Sequence, residues 1–235
     1  MLNATETTMG PSLAIGLAGH TGRFGREVLA AVDRRGWFTC WRRNRTGIQS
    51  SAMPALLFDC SAPESVPQSI DTALALGIPL VIATSGVDWR RLPRVQFAAA
   101  RVPIVIASNL SRGHLLQMTI ARLVAARPDA DMRVMIVDRH PETKKDTPSA
   151  TAYRLAGAVG ADRMIAVRSG PPVADHQIVL AWAGETLEIN HRVTSLEAPA
   201  EGALCAIEAA SRLERPGIYD LDSPELQPRR ARSAA

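Results

Sequence analysis

Four uninterrupted apolar runs, at residues 13–18, 55–58, 79–83 and 103–107, alternate with stretches of helical spacing through the first half of the chain. A strand that is apolar on both sides needs cover on both faces. Such runs separated by helices therefore imply a parallel sheet with helices on either side. The helical stretches are 23–35, with Phe24, Val28, Leu29 and Val32 on one side; a segment opened by Ser61 and Pro63 and closed by Gly77; and 88–100. A further β-favouring segment, 37–41, is short and aromatic. None of the runs approaches the roughly 20 apolar residues that a membrane-spanning helix needs.

The pattern changes after Asn109. Ser111 caps a predicted helix to about residue 126, and 132–137 reads as a strand. A polar loop follows at 138–148, then a helix at 149–159. Segments 177–183 and 186–193 alternate in polarity around the turn Ala183-Gly184, which implies a partly solvated antiparallel pair. A last helix at 197–213 closes at Pro216-Gly217.

The sharpest local signal is Gly19-His20-Thr21-Gly22-Arg23-Phe24-Gly25, between the first strand and the first helix. Gly19 permits a tight turn, Gly22 lets a pyrophosphate approach the backbone, and Gly25 allows helix and strand to pack closely. The free N–H groups of the helix start then face the phosphates. This predicts dinucleotide binding. At the end of the second strand, where NAD-binding folds place an acid for the ribose 2′-OH, the chain has Arg42, Arg43 and Arg45. Guanidinium groups suit a 2′-phosphate, so NADPH is the expected coenzyme, with NADH as the alternative.

The fold expected is thus α/β. A Rossmann-type parallel-sheet nucleotide-binding domain (11–110 and 200–225) is joined to a smaller α+β domain (111–199) with an open mixed or antiparallel sheet. Tails are expected at 1–10 and 226–235, the latter holding Arg229, Arg230 and Arg232.

The second informative stretch, 138–151, gathers His140, Lys144, Lys145 and a helix start with hydroxyls at Ser149 and Thr151. A helix N-terminus beside Lys suits a carboxylate, and His with Lys can supply a proton donor and electrostatic stabilisation. Other chemistries find less support. Cys40, Cys60 and Cys205 are far apart and fit reduced thiols in a cytoplasm. The first eleven residues lack the basic and apolar regions of a secretory signal. With a net charge of +4 and 4% aromatic residues, the chain lacks a nucleic-acid footprint. No two histidines stand at ligand spacing, so no metal is expected, and there is no GxSxG elbow.

Over nearly its whole length the chain resembles the dihydrodipicolinate (4-hydroxy-tetrahydrodipicolinate) reductase family. The family's GxxGRMG turn is similar to residues 19–25, with Phe24 in the Met place, and its GTTG segment to Ala83-Thr84-Ser85-Gly86. Its ANFSxGV segment resembles Ser108-Asn109-Leu110-Ser111-Arg112-Gly113-His114, and its ExHHxxKxDAPSGTA loop resembles 138–152. The GEH…GExxEIxH section is similar to Ala174-Asp175-His176 through Gly184, Glu185, Glu188 and His191. The closing FAxGA…GLYxM pattern resembles 199–203 and 216–220.

The resemblance implies hydride transfer from a nicotinamide to a C=N or conjugated C=C of a small cyclic carboxylate. It makes His140 an aid to proton delivery or a polariser of the ring, and Lys144 a proton donor or carboxylate anchor. Ser149, Ala150 and Thr151 would hold a second carboxylate. Residues 59–61 (Cys60 and Ser61 among them), Thr84, Ser85, Gly86, Ser108, Asn109 and Leu110 would line the coenzyme site with 19–25. His20 is read as a neighbour of the coenzyme, and His114, His176 and His191 as structural. The second domain would build a homotetramer, with a homodimer as the alternative.

Departures stand out. The second His of the pair is Pro141, the Gly of PSGT is Ala150, the Arg of the SSR stretch is Leu196, and the Phe that follows it is Pro199. Losing a hydrogen bond to a charged group costs about 1.5–3 kcal/mol, so each departure could weaken the family's diacid roughly 10- to 100-fold. Two readings of the substrate therefore stand: the lysine-pathway intermediate, or a different cyclic imine or enamine. A third reading, a non-catalytic NADPH-binding sensor, has no use for His140 and Lys144.

Overall fold

The apolar runs become the central strands of a seven-stranded sheet. In chain order these are β1 (Ala14–Ala18), β2 (Phe38–Asn44), β3 (Gly47–Ser50), β4 (Leu56–Asp59), β5 (Leu80–Ile82) and β6 (Pro103–Ile106). The last strand of the chain, β11 (Gly217–Asp220), completes the sheet in the order β11-β6-β5-β4-β1-β2-β3. All neighbours are parallel except the β2–β3 hairpin. This computed structural model describes residues 12–107, 109–169, 174–221 and 223–226. Ser108 and the arginines of the C-terminal tail lie outside the described residues. The chain divides into two compact units, Met1–Ser108 with Ala203–Ala235, and Asn109–Gly202.

In the first unit, helices α1 (Arg23–Arg34), α2 (Val66–Leu76) and α3 (Pro93–Ala99) accompany the sheet. Leu57, Leu80, Ile82 and Ile104 of the strands pack with Ile70 and Val95 of the helices in one fully buried cluster. At roughly 1.5–3 kcal/mol per large side chain buried, this cluster is what makes the sheet form. The helix expected at 88–100 is broken, with a 3-10 turn at Trp89–Arg91 preceding α3. Pro93 explains the break, because the residue before a proline avoids helical geometry. Leu92 is extended there, at φ −77° and ψ 127°.

The second unit has its own sheet of β7 (Arg133–His140), β8 (Arg163–Arg168), β9 (Ala174–Trp182) and β10 (Glu185–Val193), ordered β10-β9-β7-β8. β7 and β8 are parallel and the other pairs antiparallel. Helices α4 (Arg112–Ala125) and α5 (Ala150–Val159) cover one face, packing Met118, Ala121 and Leu155 against Ile136, Ile178 and Leu180. The other face carries Val137, Ile165 and Val179, with Ile165 48% exposed. A sixth helix, α6 (Glu197–Ala210), precedes β11. No helix among the described residues is long and apolar enough to cross a membrane.

Candidate active site

The glycine turn is as tight as its spacing implies. Gly19 has φ +88°, and a Cβ there would lie 2.7 Å from the Cys60 carbonyl oxygen. At Gly25 a Cβ would stand 2.1 Å from the Gly19 carbonyl oxygen, so α1 begins in backbone contact with the turn. Gly22 caps α1 without a side-chain hydrogen bond, and no acid occupies the first turn. The first N–H groups of the helix are thus open to an anion. The enclosed Nδ1 of His20 has no hydrogen-bond partner among the described residues. A cradle that no Cβ would fit, with open N–H donors, is what a dinucleotide pyrophosphate requires. Thr21 completes the turn and Arg23 and Phe24 open α1, with Thr21 and Arg23 exposed.

The strand ends beside the turn are tied together by Asp59, which is fully buried. Its Oδ1 accepts from the Ser61 N–H (2.9 Å), the Ser61 hydroxyl (2.6 Å) and the Thr84 hydroxyl (2.9 Å). Its Oδ2 accepts from Ser69 and from Arg43. This changes the expected role of Arg43. β2 does not stop at 41 but runs through Arg42 and Arg43, paired to both β1 and β3. The Arg43 guanidinium, 5% exposed, turns inward onto Asp59, Ser69 and Gln68. It is not placed to meet a 2′-phosphate. Arg42 is half-buried, with its Nε unpartnered among the described residues, and Arg45 is exposed in the hairpin turn. Ser85 and Gly86 are exposed after β5, Gly86 at φ +94°. The Cys60 thiol is pushed up to about 12 by burial and by Asp59, so it is no nucleophile.

In the second unit, the expected loop at 138–148 begins late, because Asp138, Arg139 and His140 extend β7. Asp138 and His140 share the helix-covered face, two residues apart. His176 of β9 lies directly opposite Asp138, and His191 of β10 directly opposite His176. Asp138 is 0% exposed and His140 5%. The Asp138 Oδ1 lies 3.0 Å from His140 Nε2 and 3.3 Å from His176 Nε2, and accepts from the Ser149 hydroxyl at 2.8 Å. Its Oδ2 accepts from the Ser149 N–H and from Arg168 of β8, both at 2.9 Å. Burial would raise this carboxyl, but the hydrogen bonds from His140, His176 and Ser149 outweigh it and hold the group below the usual carboxylate range. Nothing in the local sequence around Asp138 or Arg168 marks either as part of a buried network. The readable signal was the period of two that places 138 and 140 on one face.

Lys144 stands in the loop after β7, its ammonium 2.5 Å from Asp146. Burial raises the Asp146 carboxyl, yet hydrogen bonds from Lys144 and from the Ala150 backbone leave it lowered overall. Arg168 fixes the same loop by donating to the Asp146 carbonyl at 2.7 Å. The Ser149 hydroxyl is not free for a substrate, since it donates to Asp138 and caps α5 by accepting from the Ala152 N–H. Ala150 is exposed and Thr151 half-buried at the helix start. Asn109 reaches the Thr151 hydroxyl at 3.4 Å, whereas Leu110 is buried, with its carbonyl against Gly202.

Four of the five histidines meet in this unit. His114 of α4 lies 6.3 Å, ring to ring, from both His176 and His191, and His140 lies edge-on to His176 at 5.1 Å. His191 Nε2 is 2.9 Å from the Ser111 hydroxyl. Burial, then the charges that His176 and His191 would carry, lowers His114 to about 3. The unfolded chain therefore binds a proton at this site that the native state refuses between pH 6.5 and 3. Stability from it is complete above pH 6.5 and declines below, by about 1.4 kcal/mol per pH unit. His114→Leu is expected to lose about 2 kcal/mol less than the wild type between pH 6.5 and 5. Urea midpoints at both pH values test this, and parallel losses would refute it.

Asp138, His140 and His176 also bring three donor atoms within 4.8 Å of one another, the geometry of a cation site. Strand pairing creates the cluster, so the absence of His spacing in the sequence did not exclude it. Ser149 and Arg168 nevertheless aim three donors, one of them cationic, at the same carboxylate, which suits hydrogen bonding over a metal.

Residues 41–110 match the family described as dihydrodipicolinate reductase, N-terminus, and residues 113–223 match dihydrodipicolinate reductase, C-terminus. A 4-hydroxy-tetrahydrodipicolinate reductase of Thiobacillus denitrificans is 31% identical, over 89% of this chain and 97% of that protein. One from Xylella fastidiosa is 36% identical, over 72% of this chain and 73% of its own. Among solved structures, a dipicolinate-bound dihydrodipicolinate reductase from Paenisporosarcina sp. TG-14 superposes with a TM-score of 0.72 at 17% identity, covering 90% of this chain and 98% of that one.

Proposed function

Because the chain belongs to the dihydrodipicolinate reductase family, NAD(P)H-dependent reductases of a small cyclic carboxylate, we propose that His140 and Lys144 are its proton-handling and carboxylate-holding residues and that NADPH is its hydride donor. The observation that carries this reading is the buried Asp138–His140 pair, 3.0 Å apart, at the strand end that leads into Lys144 and the N-terminus of α5. An imidazole held by an ionised carboxylate is a proton donor waiting for a base.

A bound nicotinamide supplies the hydride. The chain's own residues do the rest. The N–H groups at the start of α1, with His20 and Thr21, hold the pyrophosphate, while Ser61, Thr84, Ser85 and Gly86 flank it. Arg42 and Arg45 take the 2′-phosphate in place of Arg43. In the second unit Lys144 and the Ala150 N–H leave Asp146 for a substrate carboxylate, helped by the Thr151 hydroxyl. His140 gives its proton to the ring atom that does not receive hydride, so that C=N becomes CH–NH, or C=C becomes CH–CH. The sheet face that carries the 48% exposed Ile165 supports assembly, as a homotetramer, through the second unit.

The first substrate we propose is 4-hydroxy-tetrahydrodipicolinate, the compound named for the relatives. The second reading, a different cyclic imine acid, is favoured by the Ser149 hydroxyl being engaged with Asp138 and by Leu196 standing where an arginine is expected. Oxidation of NADPH, followed at 340 nm against a panel of cyclic imine mono- and diacids, decides between them. Turnover of the lysine-pathway diacid supports the first, and turnover of another member alone supports the second. No turnover of any member overturns both. The panel repeated with NADH, and with Arg42→Ala/Arg45→Ala, tests the coenzyme: the double variant is expected to raise KM for NADPH about tenfold and leave KM for NADH unchanged.

A further inference from the structure

We propose that Asp138 is a positioning residue, which sets the tautomer of His140 and locks that ring to the N-terminus of α5 in a single register. The inference rests on His140 being the proton donor of the proposed reaction and adds how it is made one.

The geometry is that of a hub. One fully buried carboxylate touches four elements of the second unit: His140 on its own strand, His176 on β9, Arg168 on β8 and Ser149 at the cap of α5. Its two oxygens divide the work. Oδ1 faces the imidazoles at 3.0 and 3.3 Å, and Oδ2 holds the backbone of Ser149 and the guanidinium of Arg168. A carboxylate at 3.0 Å from Nε2 favours the proton on that nitrogen, which assigns the substrate's proton to the other one. The same carboxylate stabilises the imidazolium before transfer, and itself neither gains nor loses a proton. Ser149 is the residue that starts α5, so displacing Asp138 shifts the helix start that would meet a carboxylate along with the ring that would meet the reacting atom. Through the Asp146 carbonyl, Arg168 extends the same register to the loop that bears Lys144.

The test uses the full chain with ¹⁵N-labelled histidine. Imidazole signals of His140 are assigned by their loss in His140→Gln, and kcat and KM for NADPH are measured on whichever panel substrate turns over. In the wild type the neutral ring is expected as the Nε2–H tautomer, whose Nδ1 takes up the proton that is then transferred. In Asp138→Asn it is expected to give way to the Nδ1–H form, with kcat lowered about 10- to 100-fold and KM for NADPH within twofold. His176→Gln disturbs the same buried cluster but leaves the carboxylate, and is expected to retain the His140 tautomer. If Asp138→Asn does not fold, Asp138→Glu is read instead: a longer carboxylate keeps the tautomer but displaces the ring and lowers kcat. An unchanged tautomer with unchanged kcat in Asp138→Asn, or unchanged kcat in Asp138→Glu, overturns the inference. A His140→Gln enzyme of normal kcat overturns the reading of the site beneath it, a result separable from the tautomer spectra.

Discussion

Exchanging His140 for glutamine is expected to lower kcat about 10²- to 10⁴-fold, the span that general acid catalysis contributes. Glutamine is close to histidine in reach and can still donate to Asp138, so the buried network survives while the titratable proton is lost. Residues 19–25, the proposed coenzyme cradle, belong to the other unit, and the dissociation constant for NADPH should stay within twofold. Separate measurement of kcat and of coenzyme affinity tests the split. A variant within threefold of the wild-type kcat would remove His140 from the chemistry.

The largest effect on stability is expected at Asp59. Asp59→Ala leaves the Arg43 guanidinium buried with only the neutral partners Ser69 and Gln68. Stranding one member of a buried ion pair typically costs about 3–5 kcal/mol. Replacing both, as Arg43→Met/Asp59→Leu, removes the stranded charge and should recover most of that loss. Urea unfolding of the two variants and the wild type checks the order, and a single variant as stable as the wild type would refute it. A second readout follows from the anchors at Ser61 and Thr84. With Asp59 gone, the ends of β4 and β5 lose the acceptor that aligns them, so coenzyme affinity should fall together with stability.

The doubly covered strands were legible because burial on both faces demands unbroken apolar runs, and Ile15, Leu57, Leu80 and Ile104 obey that rule. The strands that went unread lack it. β3 is exposed along its whole length, so no face of it is apolar. β8 and β11 are edge strands of partial burial, held by a neighbour's backbone more than by their own side chains. The polar loop starts later than its composition implies for a related reason: Asp138 and His140 look like loop residues until β9 pairs with β7 and brings His176 to them. Arg43 misled similarly. Its charge pointed to solvent or a phosphate, while an acid sixteen positions on, carried by β4, turned it inward. Glycine spacing was readable, because sterics between nearby backbone atoms depend on no distant partner. The histidine cluster was not, because it exists only through strand register.

For redesign of coenzyme choice, the 2.1 Å approach at Gly25 and the left-handed backbone of Gly19 draw a boundary. Those two sites are barred to every other amino acid, so a randomised library that includes them yields mostly misfolded clones. Diversity belongs instead at the exposed positions 21 and 45, and next at the half-buried 20 and 42.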